Sequence, residues 1–167
     1  MILIALGANL SSPAGPPAAT LRAALARLEE QGVKIQSVSS FYETPAWPDP
    51  EQPAYVNAVA AVETTLQPVE LLTLLHGVET DFGRLRSAPN APRSLDIDLL
   101  DHDGTVMTEG VRLPHPRMTE RSFVLVPLAE IAPGWRHPVT GAGVADLLAR
   151  LPDRDVPRPL NRSAGGS

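Results

Sequence analysis

Two aspartates one residue apart, Asp96 and Asp98, lie in the run Ser94-Leu95-Asp96-Ile97-Asp98-Leu99-Leu100. On a strand, side chains two apart share a face with their Cα atoms roughly 6.6 Å apart, so both carboxylates converge on one spot. Leu95, Ile97 and Leu99 then take the opposite, core face. Adjacent carboxylates repel unless a cation joins them. An oxygen-only pair of this kind suits Mg²⁺, which is held by one or two carboxylates together with substrate phosphates. The alternative is a solvated outer strand face. A calcium-binding hand fails on register: with Gly104 as its sixth position, the first ligand is Leu99 and the twelfth Gly110.

Arginines surround this pair. Arg84, Arg86 and Arg93 precede it and Arg112, Arg117 and Arg121 follow, whereas Lys34 is the sole lysine of the chain. Guanidinium forks match phosphate oxygens, and a divalent cation takes up the remaining negative charge. Aspartates ringed by arginines therefore have the composition of a nucleotide triphosphate site, although no G-x-x-x-x-G-K-[ST] loop is present. His115 lies in Leu113-Pro114-His115-Pro116, where two prolines hold the backbone extended, as a positioned side chain requires; a lone loop histidine that is merely structural is the alternative. His102 falls in a turn, and His76 and His137 have no partner nearby in sequence. Tyr55 and Asn57 share a strand face, an aromatic plate beside an amide, which suits a flat heterocycle and equally a half-buried tyrosine. No G-x-S-x-G elbow or H-E-x-x-H pair supports a hydrolase.

The elements that must position these residues follow from periodicity. Residues 2–6 read as a buried strand ended by Gly7-Ala8-Asn9. Pro17 to Gln31 reads as a helix with the stripe Leu21, Ala24, Leu25 and Leu28. A strand over 33–42 precedes a proline-rich loop over 43–53, and a second strand covers 55–64. Pro68 opens a helix with Leu71, Leu72, Leu75, Val78 and Phe82, stopped by Gly83. The aspartate strand turns at Asp103-Gly104 into a short strand at 105–107. Helices are expected over 119–131, with a break at Pro127, and over 143–151. The order β-α-β-β-α-β implies an α+β domain, an antiparallel sheet covered by helices.

Composition sets the bounds. At 167 residues the chain is one domain's worth, and a net charge of −5 argues against a general nucleic-acid binder. The absence of cysteine excludes thiolate metal sites, disulfides and cysteine nucleophiles. No apolar run approaches the ~18 residues a membrane span needs. Without a basic leader at Met1, the expectation is a cytoplasmic protein that binds neither membrane nor nucleic acid.

Segments in a fixed order carry a resemblance to a known family: Ile4-Ala5-Leu6-Gly7-Ala8-Asn9-Leu10, Ser-Ser-Phe-Tyr-Glu-Thr-Pro at 39–45, Gln-Pro-Ala-Tyr-Val-Asn-Ala at 52–58, Glu79 with Gly83-Arg84, Pro92-Arg93-Ser94-Leu95-Asp96-Ile97-Asp98, Pro114-His115, and Arg121 with Phe123. Over about four fifths of its length the chain resembles the 6-hydroxymethyl-7,8-dihydropterin pyrophosphokinases. The resemblance implies a monomeric, ferredoxin-like α+β domain. Composition places that domain over 1–152 and predicts a disordered tail over 153–167, which ends Ser-Ala-Gly-Gly-Ser. The resemblance also implies transfer of the β,γ-diphosphate of ATP to the pterin hydroxymethyl group, releasing AMP, with a pair of Mg²⁺ ions. By matching position, Asp96 and Asp98 correspond to metal ligands. Arg84, Arg93, His115 and Arg121 correspond to phosphate contacts, and Glu79 and Leu99 line the nucleotide side. Tyr55 and Phe123 correspond to plates around the pterin, whose edge is read by Asn57 and the backbone at Thr44 and Pro45. The catalytic work then falls to Asp96, Asp98, Arg84, Arg93 and His115. The chain departs from the family at Ser87–Ala91, which is one residue shorter and has neither a cation nor an aromatic ring. A non-catalytic pterin- or nucleotide-binding module of the same fold is the rival reading.

Overall fold

A computed structural model describes residues 1–10, 12–44, 54–83, 94–152 and 157–160. Of the loop expected over 43–53, Glu43 and Thr44 are in a strand, whereas Pro45 and the residues after it through 53 lie outside the described residues, as do Arg84, Arg86 and Arg93.

Strand β1 (Ile2–Ala8) is central. It pairs antiparallel with β4 (Tyr55–Glu63) on one side and β5 (Asp96–His102) on the other. Beyond β4 lie β2 (Lys34–Val38) and β3 (Tyr42–Thr44), and β6 (Arg158–Pro159) closes that edge against β3. The order β5-β1-β4-β3-β6, with β2 also on β4, is the ferredoxin-like antiparallel arrangement.

The pleat sorts side chains into two layers. Ile2, Ile4, Leu6 and Ala8, with Val56, Ala58, Ala60, Val62, Ile97 and Leu99, form one apolar cluster. It is closed by α1 (Pro17–Glu30) through Leu21, Ala24 and Leu28, and by α2 (Pro68–Asp81) through Leu71, Leu75 and Val78. Each helix starts on a proline, whose missing N–H costs nothing at that position, and α2 adds a capping box between Gln67 and Glu70. On the other face Leu3, Val59, Ala61 and Leu100 pack under α3 (Ser122–Ile131) and α4 (Val144–Ala149).

Several expectations are corrected, each for a tertiary reason. Strand β1 does not stop at Gly7 but runs through Ala8, because Gly7 is paired on both sides, to Asn57 and Asp96. The single strand over 33–42 is two strands. Between Val38↔Ala60 and Tyr42↔Asn57, three residues of one chain face two of the other, so the ladder breaks at Ser39–Phe41. Ser39 bridges the gap, donating its N–H to the Val59 carbonyl while its hydroxyl accepts the Val59 N–H. The Asp103-Gly104 turn forms, with both residues at positive φ and Thr105 N–H donating to the His102 carbonyl. The segment after it is not a strand of the sheet, since Met107 bridges to Leu113 instead.

His102 is the last residue of β5, with Nε2 2.9 Å from the Leu66 carbonyl. The helix break falls at Arg121, between a 3-10 turn (Met118–Glu120) and α3, which runs through Pro127. Within the expected tail, Leu160 N–H donates to the Phe41 carbonyl at 2.8 Å and Pro157 is buried. Residues 153–156 and 161–167 lie outside the described residues. Among the described residues no helix is long and apolar enough to cross a membrane.

Candidate active site

On the α3 side of the sheet, beyond the apolar cluster, one transverse row crosses four strands: Asp96 of β5, Gly7 of β1, Asn57 of β4 and Tyr42 of β3. The next row holds Asp98, Ala5 and Val59. Asp96 and Asp98 thus share a face, as their spacing predicts, while Ile97 and Leu99 are buried on the other.

Gly7 has a steric purpose. A Cβ there would lie 2.7 Å from Asn57 Oδ1, so only glycine lets the amide lie across β1. Asn57 is itself buried, and its Nδ2 donates to Thr44 Oγ1 at 3.0 Å. Two of the three residues expected to read a ligand edge are therefore joined to each other, which holds the Asn57 amide in a fixed orientation.

Around Asp98 the charges are arranged in space rather than in sequence. Arg121 Nη1 lies 3.6 Å from Asp98 Oδ2, and its guanidinium sits over the Phe123 ring, 5.5 Å from the centroid. His115 Nε2 is 4.0 Å from Asp98 Oδ1, beyond hydrogen-bond reach. Burial, with Arg121 and Arg117 outweighing the opposing Asp96 charge, lowers the His115 pKa to about 4. At neutral pH the ring is uncharged, so the approach to Asp98 is no ion pair. The Arg117 N–H donates to Nδ1 at 3.2 Å, which leaves the hydrogen on Nε2, the nitrogen facing the aspartate. The His115 N–H donates to the Leu100 carbonyl at 2.8 Å, so the loop is tied to the aspartate strand.

Glu79 is buried, and its Oε2 accepts the Ile97 N–H at 2.7 Å. It satisfies the outer edge of β5 between the two aspartates. The Leu99 side chain belongs to the core, so only its backbone is available to line a site. Phe123 is partly buried against the α3 cluster, which leaves part of its ring accessible. Arg112 and Arg117 are exposed. Among the described residues no group of three or more His, Asp or Glu converges into a metal cage. Two carboxylates on one face fit Mg²⁺ when phosphate oxygens and water supply its other ligands.

Reasoning from sequence missed Gly7, although a glycine inside an apolar strand is a signal for close approach. It also missed the hydrogen bonds of Glu130 to Ser40 and Tyr42, for which the sequence holds no signal.

The chain matches the model of the 7,8-dihydro-6-hydroxymethylpterin-pyrophosphokinase family over residues 3–133. The 2-amino-4-hydroxy-6-hydroxymethyldihydropteridine pyrophosphokinase of Synechocystis is 40% identical over 152 residues, 89% of this chain and 75% of that protein. The Methylorubrum extorquens protein of the same name is 38% identical, covering 93% of this chain and 96% of its own. The Pneumocystis carinii folic acid synthesis protein fol1 is 35% identical over 93% of this chain, which spans only 20% of that longer protein. Plasmodium falciparum HPPK-DHPS superposes with a TM-score of 0.68 at 15% identity, over 89% of this chain and 40% of that one, a likeness of fold. On this sequence match and this fold, the chain belongs to the 7,8-dihydro-6-hydroxymethylpterin-pyrophosphokinase family.

Proposed function

We propose that this chain transfers the β,γ-diphosphate of ATP to the hydroxymethyl group of 6-hydroxymethyl-7,8-dihydropterin. The pterin hydroxyl oxygen bonds to the β-phosphorus, the bond from that phosphorus to the oxygen bridging the α-phosphate breaks, and AMP leaves. The hydroxyl proton passes to solvent or to a nearby carboxylate. The observation that carries this reading is the row holding Asp96, Gly7 and Asn57, with Asp98 on the same face in the next row, which sets a pair of carboxylates near a buried, oriented amide.

Asp96 and Asp98 would hold magnesium. A bound pair of such ions would neutralise the triphosphate and polarise its phosphoryl oxygens. Arg121 is already beside Asp98 and, with Arg84 and Arg93, supplies guanidinium forks for the phosphates. His115, neutral with its hydrogen on Nε2, offers a donor to a phosphate oxygen without adding a fixed charge. Glu79 acts on the nucleotide side through the β5 edge it satisfies, and Leu99 through its backbone. Tyr55 and Phe123 stack on the pterin, while Asn57, Thr44 and Pro45 read its polar edge. Catalysis is then chiefly alignment and charge stabilisation. The protein works as a cytoplasmic monomer on these two small molecules.

Purified protein given ATP, Mg²⁺ and the reduced hydroxymethylpterin should release AMP and form the pterin diphosphate, detected by chromatography. ADP as product, or binding of both substrates without turnover, would overturn the reading.

A further inference from the structure

Outside the proposed reaction, three polar side chains meet between α3 and the start of β3. The Glu130 carboxylate accepts the Ser40 N–H at 2.8 Å and the Ser40 hydroxyl at 3.1 Å through Oε2, and the Tyr42 hydroxyl at 2.6 Å through Oε1. Tyr42 is buried, whereas Glu130 is exposed to solvent. Burial and this hydrogen bond raise the Tyr42 pKa to about 12, so its hydroxyl keeps its proton and donates.

The positions of these groups matter. Tyr42 is the register partner of Asn57 and stands two residues before Thr44, the other end of the Asn57–Thr44 hydrogen bond. Glu130 stands seven residues after Phe123 on α3, so the two share a helix face about 10.5 Å apart along the axis. Between them Pro127 lacks the N–H that would donate to the Phe123 carbonyl, so the Phe123 end relies on packing and side-chain contacts for its position. The two walls of the proposed pterin slot, one on α3 and one on β3–β4, are thus fastened together by Glu130.

We infer that Glu130 is a positioning residue for the pterin, setting the gap between Phe123 and the Asn57–Thr44 pair by gripping Ser40 and the β3 residue Tyr42. The inference rests on the proposed pterin slot. It predicts a larger effect on pterin than on MgATP, since Asp96 and Asp98 lie on β5, across β1 and β4 from Tyr42, and only Arg121, stacked on Phe123, links the two sides.

The experiment measures dissociation constants for pterin and for MgATP, with melting temperatures, on the full chain and four variants. Glu130→Ala should weaken pterin binding about ten-fold, the loss expected for the positioning worth of one charge-assisted hydrogen bond, and weaken MgATP binding by less than about three-fold. Glu130→Gln keeps the length and an acceptor for the Ser40 N–H, and should restore most of the affinity. Tyr42→Phe deletes one of the three bonds without disturbing the core and should give an intermediate loss, which carries the test if Glu130→Ala does not fold. Val33→Ala, in the opposite layer, should lower the melting temperature and leave pterin affinity intact. Wild-type pterin affinity in both Glu130→Ala and Tyr42→Phe would overturn the inference while leaving the functional reading standing. Parallel loss of both ligands in step with melting temperature would also overturn it. A wild-type chain that binds no pterin would remove both.

Discussion

Strand β5 carries three aspartates on one face of the sheet, and its two ends use them in opposite ways. Asp96 and Asp98 are partly exposed, whereas Asp101 is buried. Asp101 Oδ2 accepts the buried Trp135 indole N–H at 2.8 Å and Oδ1 accepts the N–H of the turn residue Gly104 at 3.0 Å, so both oxygens are engaged by fixed donors. At the other end, Asp98 keeps access to solvent, with a guanidinium at 3.6 Å and a neutral imidazole at 4.0 Å. A bulge separates the two ends. Ile4 pairs with Leu99 but Leu3 with Asp101, so Leu100 is the extra residue, and Asp101 stays on the face of Asp98 despite the odd spacing. The lesson is that a carboxylate is structural where burial locks it onto fixed donors, and available for chemistry where solvent and movable cations reach it.

The sharpest way to break that contrast is Asp98→Ala. It should reduce turnover on the order of a thousand-fold, the several kcal/mol that metal-assisted charge stabilisation supplies, with little change in melting temperature. Near-normal turnover at ordinary Mg²⁺ would erase the distinction between the two ends.

Asp101→Ala should behave in the reverse sense. Stranding the Trp135 indole and the Gly104 amide should cost roughly 2–3 kcal/mol of stability by urea unfolding, while the folded fraction keeps its specific activity. A loss of specific activity larger than the loss of folded protein would place Asp101 in the site.

A smaller effect is expected at Gly7, where the rows cross. Gly7→Ala must displace the Asn57 amide, since the new Cβ would lie 2.7 Å from its oxygen. Pterin affinity should fall about ten-fold with MgATP affinity retained, read by separate fluorescence titrations. Equal weakening of both ligands would mean that β1 itself has shifted.

The mildest test is pH. The His115 pKa is lowered to about 4 in the folded chain from an ordinary 6.5, so between those values the unfolded chain takes up the extra proton. Stability from this residue is therefore complete above pH 6.5 and declines as pH falls towards 4. The melting temperature of His115→Gln should fall less over that window than that of the wild type. Identical slopes would mean that His115 is protonated when folded.

The elements with strong local signals were legible. The α1 and α2 stripes, their proline starts and the Asp103-Gly104 turn all form where periodicity and turn chemistry place them. Errors gathered where pairing partners decide: the continuation of β1 through Gly7, the split at Ser39–Phe41, and the edge strand β6. A proline inside α3 suggested a break that the structure puts at Arg121 instead, because packing of Val124, Leu125 and Leu128 holds the helix through Pro127.

By itself the sequence determined that Asp96 and Asp98 share a face, since the period of a strand is two and needs no partner. It also determined that arginines crowd that region, and its ordered segments marked the family. Only the tertiary structure decided that Asn57 lies in the row of Asp96, that Asp101 is buried onto Trp135 while Asp98 faces solvent, and that Glu130 fastens α3 to β3. Local propensity acts over a few residues, whereas these relations join strands far apart in the chain. They are fixed by sheet register, by one bulge and by which donors happen to face each carboxylate.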